Sequence, residues 1–165
     1  MTMQEKKYRV DSFDGTIRLI SDNKAAFVKH VVSTHYYGDR VGNDVEKFVT
    51  YPDRTEIHIL KEHDGTFELT HHEQIEGKAA GLRWLKSLGY TKAAIVDMDY
   101  TEYAYAGGTI GLYLIDNVLR SVILTYPVES HRSMEEKFGL SNADVIAVPY
   151  NKYLAKDGHL RSLDL

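Results

Sequence analysis

Apolar and polar positions alternate along much of this chain, and helical spacing interrupts the alternation in a few places. Phe67 to Glu73 alternates with the period of two expected of a half-buried strand. Gly77 to Leu88 then carries Ala80, Leu82, Trp84, Leu85 and Leu88 at helical spacing, and Gly89 follows as a stop signal. The β pattern returns over Ala93 to Tyr103, Thr109 to Val118 and Ser121 to Tyr126, with Gly107 and Gly108 marking the turn between the first two. A central helix flanked by long antiparallel strands needs a sheet on which to bury Trp84, Leu85 and Leu88.

The remaining segments fall around that unit. Gln4 to Val10 reads as the first strand, Asp14-Gly15 as a turn, and Thr16 to Ile20 as a short strand or a helix start. Asp22 or Asn23 is placed to cap a helix over Lys24 to Val32, with Ala26, Phe27 and Val31 as packing residues. Thr34 to Tyr37 is a strand, and Gly38 to Asn43 an exposed loop. Val45 to Tyr51, Arg54 to Lys61 and Phe67 to Glu73 form a three-strand meander, turned at Pro52-Asp53 and at His63-Asp64-Gly65. After Pro127, Ser130 is a candidate cap for a helix over His131 to Phe138, and Ser133 with Glu136 has capping-box spacing. Pro149 suits the first turn of a final helix, Tyr150 to Lys156, and Leu160 to Leu165 reads as a frayed tail.

Composition narrows the picture. The 165 residues suffice for one domain with one core, and 43% hydrophobic with 27% charged residues is ordinary for a folded chain. A net charge of -4 argues against a nucleic-acid binder, which needs a basic stripe. Without cysteine there is no thiolate nucleophile, disulfide or sulfur-ligated metal. No apolar run is long enough to span a membrane, and Met1 to Lys7 is too polar for a signal peptide, so a cytoplasmic protein is expected. Twelve tyrosines against five phenylalanines suit either a half-polar interior or simply a β-rich fold.

Several stretches, in order, resemble the CYTH domain family, the triphosphate-tunnel proteins. Glu5-Lys6-Lys7-Tyr8-Arg9-Val10 resembles the second half of its N-terminal Glu-x-Glu-x-Lys signature, and Tyr36-Tyr37-Gly38 its second strand. Phe67 to Thr70 and Leu85 to Tyr90 resemble the strand before its central helix and the end of that helix. Tyr113 to Val118 resembles the strand bearing an acidic residue, here Asp116, and Pro149 to Leu154 the closing helix. The resemblance implies an α+β fold spanning residues 1–165 as a single domain, in which an antiparallel, closed or nearly closed barrel carries helices outside. It also implies phosphohydrolase or adenylyl-cyclase-like chemistry on a phosphorylated small molecule, with Mg or Mn.

The site positions match the family less well. Glu5, Lys7 and Asp116 are retained, but Met3 stands at the first signature glutamate. His58 and Leu60 fall where the next hairpin has basic residues, and His72 falls near a family lysine. Asp97 and Asp99 fall near its basic pair, and Leu124 and Tyr126 near its paired glutamates. The resemblance therefore implies a degenerate triphosphate site with weak triphosphatase activity.

Strand periodicity adds its own reading. Arg54, Glu56 and His58 share a face, as do Glu68, Thr70 and His72, and Asp97, Asp99 and Thr101. These faces either turn into a wet cavity or lie solvated on the outside of a flatter sheet. In the cavity arrangement, Glu5, His58, His72, Asp97 and Asp99 are the catalytic candidates, and Lys7, Arg54 and Glu68 the ligand-binding ones. Glu5, Asp97, Asp99 and Asp116 are candidate metal ligands; His58 with His72 across neighbouring strands keeps a transition metal open. Gly107-Gly108-Thr109-Ile110-Gly111 lacks the Lys-Ser or Lys-Thr of a phosphate loop and sits between strands. Two ligand functions follow, a metal-dependent enzyme acting on a phosphorylated small molecule and a non-catalytic binder with a repurposed tunnel. A new enzymatic activity on a ligand that is not a triphosphate, which the Tyr, His and Asp content would suit, is the third reading, and a structural or interaction protein on the same scaffold is the remaining one.

Overall fold

A computed structural model describes residues 2–165. β1 (Gln4–Arg9) is followed by α1 (Asp14–Asp22), then β2 (Ala26–Gly38), β3 (Val45–Thr50), β4 (Thr55–His63) and β5 (Thr66–Ile75). After α2 (Gly77–Ser87) come β6 (Lys92–Tyr105), β7 (Gly108–Ile115) and β8 (Leu119–Tyr126). α3 (Val128–Phe138), α4 (Tyr150–Lys156) and β9 (Arg161–Asp164) complete the chain. The sheet runs β2-β3-β4-β5-β1-β8-β7-β6, and β2 pairs with β6, so these eight antiparallel strands close into a barrel. β9 is added to β6 at Lys92 to Ile95. This is the closed antiparallel α+β barrel with outer helices that the sequence predicts.

Tight turns set the hairpin registers. Asp64-Gly65 and Asp116-Asn117 both have positive φ at their two positions, as two-residue turns of the right twist require. The turn joining β6 and β7 is Ala106-Gly107, one residue earlier than the glycine pair suggests. Gly108 belongs to β7, and a Cβ there would meet the Thr125 carbonyl and the Tyr126 ring at 2.4 Å.

Three apolar clusters hold the barrel. Inside and at one end lie Val45, Leu60, Phe67, Val96, Ile115 and Leu119, sealed by Ile146 and by Tyr150 and Leu154 of α4. Outside, α1 and α3 cover Tyr8, Ile110, Val122 and Leu124 with Ile20 and Phe138. On the opposite outer wall α2 packs on β3 and β4 through Leu85, which reaches Phe48 and Ile57.

Three expectations for the elements change. Lys24 to Val32 is not a helix: α1 ends at Asp22, Lys24 turns the chain with φ 57°, and β2 begins at Ala26. β2 pairs with β6 from Ala26 to Gly38, Val31 and Val32 within the ladder and Val28 at its one irregularity, and that long ladder overrides the loose helical spacing. Leu160 to Leu165 is not a frayed tail, since β9 pairs there with β6. α3 starts at Val128, so Ser133 and Glu136 stand mid-helix, away from any cap. The face of α2 is also rotated: Leu85 is fully buried, Trp84 is partly buried and Leu88 is 44% exposed. Gly81 makes this rotation possible, because a Cβ there would meet the Phe48 ring at 2.5 Å.

Candidate functional site

The barrel encloses a pocket that is open at one end and sealed at the other. Its mouth is a cavity of about 340 Å³ lined by Lys29, Tyr51, Arg54, Glu56, His58 and His72, with Tyr100, Glu102 and Tyr113 across from them. It leads to a chamber of about 120 Å³ shared by Glu5, His35, Lys47, His58, Tyr100 and Tyr113. Beneath that is a narrow space of about 30 Å³ between Glu5, Lys7, Lys47, Phe67 and Tyr150. Polarity falls along this axis, from charged rim to apolar plug.

Period-two geometry explains who faces in. On β1, Glu5 and Lys7 point inward while Tyr8 fills the outer cluster. On β3, Lys47 points inward between buried Val45 and Val49, and Phe48 points outward to α2. β4, with Arg54 just before it, presents Arg54, Glu56, His58 and Leu60 on one face, as its alternation predicts, and that face is the interior one. On β5 the pairing slips: Leu60 faces Leu69, Ile59 faces His71 and His58 faces His72, leaving Thr70 as an extra residue. That bulge reverses the alternation, so Leu69 and His72 line the pocket while Glu68 stays outside, 3.0 Å from His63.

Two groups of expected site residues thus separate. Glu5, Lys7, Arg54, His58 and His72 gather in the pocket, and Glu68, Asp97, Asp99 and Asp116 do not. β6 turns Val96, Met98 and Tyr100 inward, so Asp97 and Asp99 stand on the outer wall. There Asp99 meets His30 at 2.6 Å, and Asp97 accepts from Thr34 at 2.7 Å and pairs with Arg161 at 3.0 Å. Asp116, in the β7–β8 turn, accepts from the Asp97 amide at 2.7 Å and from Arg161 at 2.9 Å. The proposed metal set Glu5, Asp97, Asp99 and Asp116 is therefore divided by the barrel wall. Among the described residues no group of three or more His, Asp or Glu could hold a metal ion. The residues present do not form a ready site for Mg, Mn or a transition ion.

The two inner lysines differ in how they are held. Lys7 donates to the Val148 carbonyl at 2.6 Å, and its Nζ lies 4.2 Å and 4.3 Å from the ring centroids of Phe67 and Tyr150. Among the described residues Lys47 has one long hydrogen bond, to the Tyr37 hydroxyl at 3.4 Å, and its Nζ lies 4.9 Å from the centroid of that same ring. Neither has a carboxylate within ion-pair distance among the described residues. Burial lowers the Lys7 pKa to about 7, opposed by the charge of Glu5, and lowers that of Lys47 to about 8. Burial likewise raises the pKa of Glu5, which the two lysines counteract.

Nearer the mouth, Glu56 accepts from Arg54 at 2.5 Å and lies 3.0 Å from His58 Nε2. Burial pushes the His58 pKa down to about 4, helped by the charge of Lys47, so the ring is neutral at pH 7. His72 stands edge-on to it, with ring centroids 6.5 Å apart. Tyr100 and Tyr113 stack at 4.3 Å on the facing wall, and Arg54 lies over the Tyr51 ring at 4.0 Å.

Lys47, Lys29, His35, Glu102 and the pocket tyrosines escaped the sequence reading. Lys47 had the clearest signal: it sits two residues after Val45 and two before Val49, in phase with buried apolar positions.

No sequence-family model matches the chain, and no curated protein matches it significantly. Solved structures do share its fold. A conserved hypothetical protein from Pyrococcus furiosus superposes with a TM-score of 0.77 at 13% identity, covering 90% of this chain and 98% of its own. A protein from Pyrococcus horikoshii gives 0.76 at 17% identity over 90% and 96% of the two chains. A candidate adenylate cyclase from Vibrio parahaemolyticus gives 0.72 at 13% identity over 93% and 98%. The chain has the CYTH-like tunnel fold, and at these identities the likeness extends to the fold alone. No helix among the described residues is long and apolar enough to cross a membrane.

Proposed function

We propose that the barrel binds a phosphorylated small molecule, entering by the mouth and drawing its phosphate toward Lys7 and Lys47. The observation that carries this reading is the pair of buried amines without ion-pair partners. An anion placed between them supplies the countercharge that burial withholds. Lys29 and Arg54 at the rim favour approach of an anion, while Glu5, Glu56 and Glu102 offset much of that charge. The resulting surplus of positive charge is small. A ligand with one or two phosphates suits it better than a triphosphate, and triphosphate turnover is expected to be weak. The stacked tyrosines offer a flat wall for an organic portion.

Calorimetric titration with inorganic phosphate, diphosphate, tripolyphosphate and a sugar phosphate tests the reading. Lys7→Met and Lys47→Met should each weaken binding by roughly tenfold or more, since a hydrogen bond to a charged group contributes about 1.5–3 kcal/mol. Equal affinity in wild type and the double variant would overturn it, as would an absence of binding for every probe.

A second reading, hydrolysis, is favoured by one feature. His58 is neutral, hydrogen-bonded to Glu56 and open to the mouth, placed to take a proton from water although its pKa of about 4 makes it a weak base. Phosphate release measured with Mg, with Mn and without metal, in wild type and His58→Gln, tests it. A rate that His58→Gln leaves unchanged would exclude this role.

A further inference from the structure

We propose that Lys47 is a covalent attachment site for a short-chain aldehyde or ketone, its ε-amine forming an imine inside the barrel. The contrast with Lys7 carries the argument. Lys7 is pinned by a short bond to the Val148 carbonyl and by two aromatic rings beside a space of only about 30 Å³, which leaves its nitrogen no room to attack even though burial lowers its pKa further, to about 7. The Lys47 amine is held more loosely, by one long hydrogen bond to the Tyr37 hydroxyl and by the Tyr37 ring alone at 4.9 Å, and no carboxylate lies within ion-pair distance of it among the described residues. It borders the chamber of about 120 Å³ that communicates with the mouth, so a small carbonyl compound can reach it. Glu5 borders the same chamber and supplies a carboxyl group for proton transfer. The environment favours free amine as well: burial lowers the Lys47 pKa to about 8, and burial favours the protonated form of Glu5.

The chemistry balances without an external oxidant or reductant. The amine lone pair attacks the carbonyl carbon, and the proton lost by nitrogen ends on the carbonyl oxygen, giving a carbinolamine. That hydroxyl takes a second proton from the Glu5 carboxyl, the C–O bond breaks, water leaves, and the nitrogen lone pair closes the C=N bond. The iminium nitrogen returns its proton to the Glu5 carboxylate. One carbonyl compound and one amine become one imine and one water.

The proposal does not rest on phosphate binding, and its probe carries no phosphate. The folded full chain is incubated with glyceraldehyde and cyanoborohydride, then digested and mapped by mass spectrometry. An amine of pKa about 8 has roughly a hundredfold more free base at neutral pH than an ordinary lysine. Lys47 should therefore be labelled at least about tenfold faster than the exposed lysines, after allowance for slower access. Its labelling should rise with pH and level off above about 8. Lys47→Arg should lose this fast adduct while its melting transition stays cooperative, and Glu5→Gln should slow the reaction without moving its site. Mapping of the wild-type protein decides the matter even if the variants fold poorly. A label on Lys7, or one spread over exposed lysines with Lys47 unmodified, overturns the proposal. Labelling of Lys47 together with failure of every phosphate titration would reject the phosphate reading and leave the imine standing.

Discussion

The two ends of the barrel are made from the same eight strands and have opposite character. At the sealed end, inward positions carry Val45, Leu60, Phe67, Val96 and Leu119, and α4 adds Tyr150 and Leu154. At the mouth, inward positions two to six residues further along the same strands carry Arg54, Glu56, His58, His72, Glu102 and Thr125. Burial is favourable at the first end and would be costly at the second, so the first holds the barrel shut and the second stays wet. Lys7 and Lys47 lie at the boundary, where charge is most expensive and an anionic ligand most effective. The comparison separates residues that stabilise from those proposed to bind.

The largest expected effect is at the sealed end. Leu154 is 1% exposed, and Leu154→Ala should cost about 2–5 kcal/mol in denaturant unfolding. His72→Ala at the mouth should change stability by no more than about 0.5 kcal/mol, because its ring is largely solvated. A Leu154→Ala loss below about 1 kcal/mol would mean that α4 does not seal the barrel.

A smaller effect is expected at the boundary, and it depends on pH. Lys7 has a folded pKa of about 7 against an unfolded value of about 10.4. Between these the unfolded chain holds more protons, so stability rises with pH by at most about 1.4 kcal/mol per unit. Below pH 7 both states carry the proton and the full desolvation burden is present. Lys47 behaves in the same way from about 8 upward. Wild type should therefore gain stability relative to Lys7→Met as pH is raised from about 7 to about 9. At the lower pH, Lys7→Met should be at least as stable as wild type, since an apolar side chain replaces an unpaired buried charge. A pH-independent difference between the two proteins would show that water reaches Lys7 and the boundary is not where the contrast puts it.

Much of this architecture is legible in the chain because long strands repeat their pattern. β4, β6 and β8 read correctly, while the pattern carries β7 three residues too far, through the Asp116-Asn117 turn. The pocket receives Arg54 and His58 from one shared strand face and Glu5 and Lys7 from the signature that the resemblance marks. What is not legible depends on partners distant in sequence. β2 resembles a helix until its ladder with β6, about seventy residues away, is formed. The bulge at Thr70 is invisible to a period-two count, and it decides that Glu68 and His72 lie on opposite sides. On β6 the pattern correctly divides Asp97 and Asp99 from Met98 and Tyr100, but alternation does not say which set faces in. The outer wall can take the acids because Thr34, His30 and Arg161 meet them there. Arg161 comes from a segment whose composition suggests only a loose tail.

The smallest expected effect tests that inside–outside assignment directly. Asp99 and His30 meet at 2.6 Å on the outer wall, with their side chains 53% and 54% exposed. Exposed pairs of this kind contribute at most about 1 kcal/mol, and usually less. Asp99→Asn should therefore shift the unfolding midpoint slightly, and high salt should shrink the difference. Because the barrel wall stands between Asp99 and the inner lysines, phosphate affinity and Lys47 labelling should stay within about twofold of wild type, close to the thermal energy. Glu56→Gln makes the matching change on the inner face, where it removes a charge bonded to both Arg54 and His58. That variant should alter anion affinity and its pH dependence well beyond the Asp99→Asn change. If instead Asp99→Asn produced the larger effect on binding, β6 would have to present its acids to the pocket. The neutral variants at these two positions thus measure which side of the wall each carboxylate occupies.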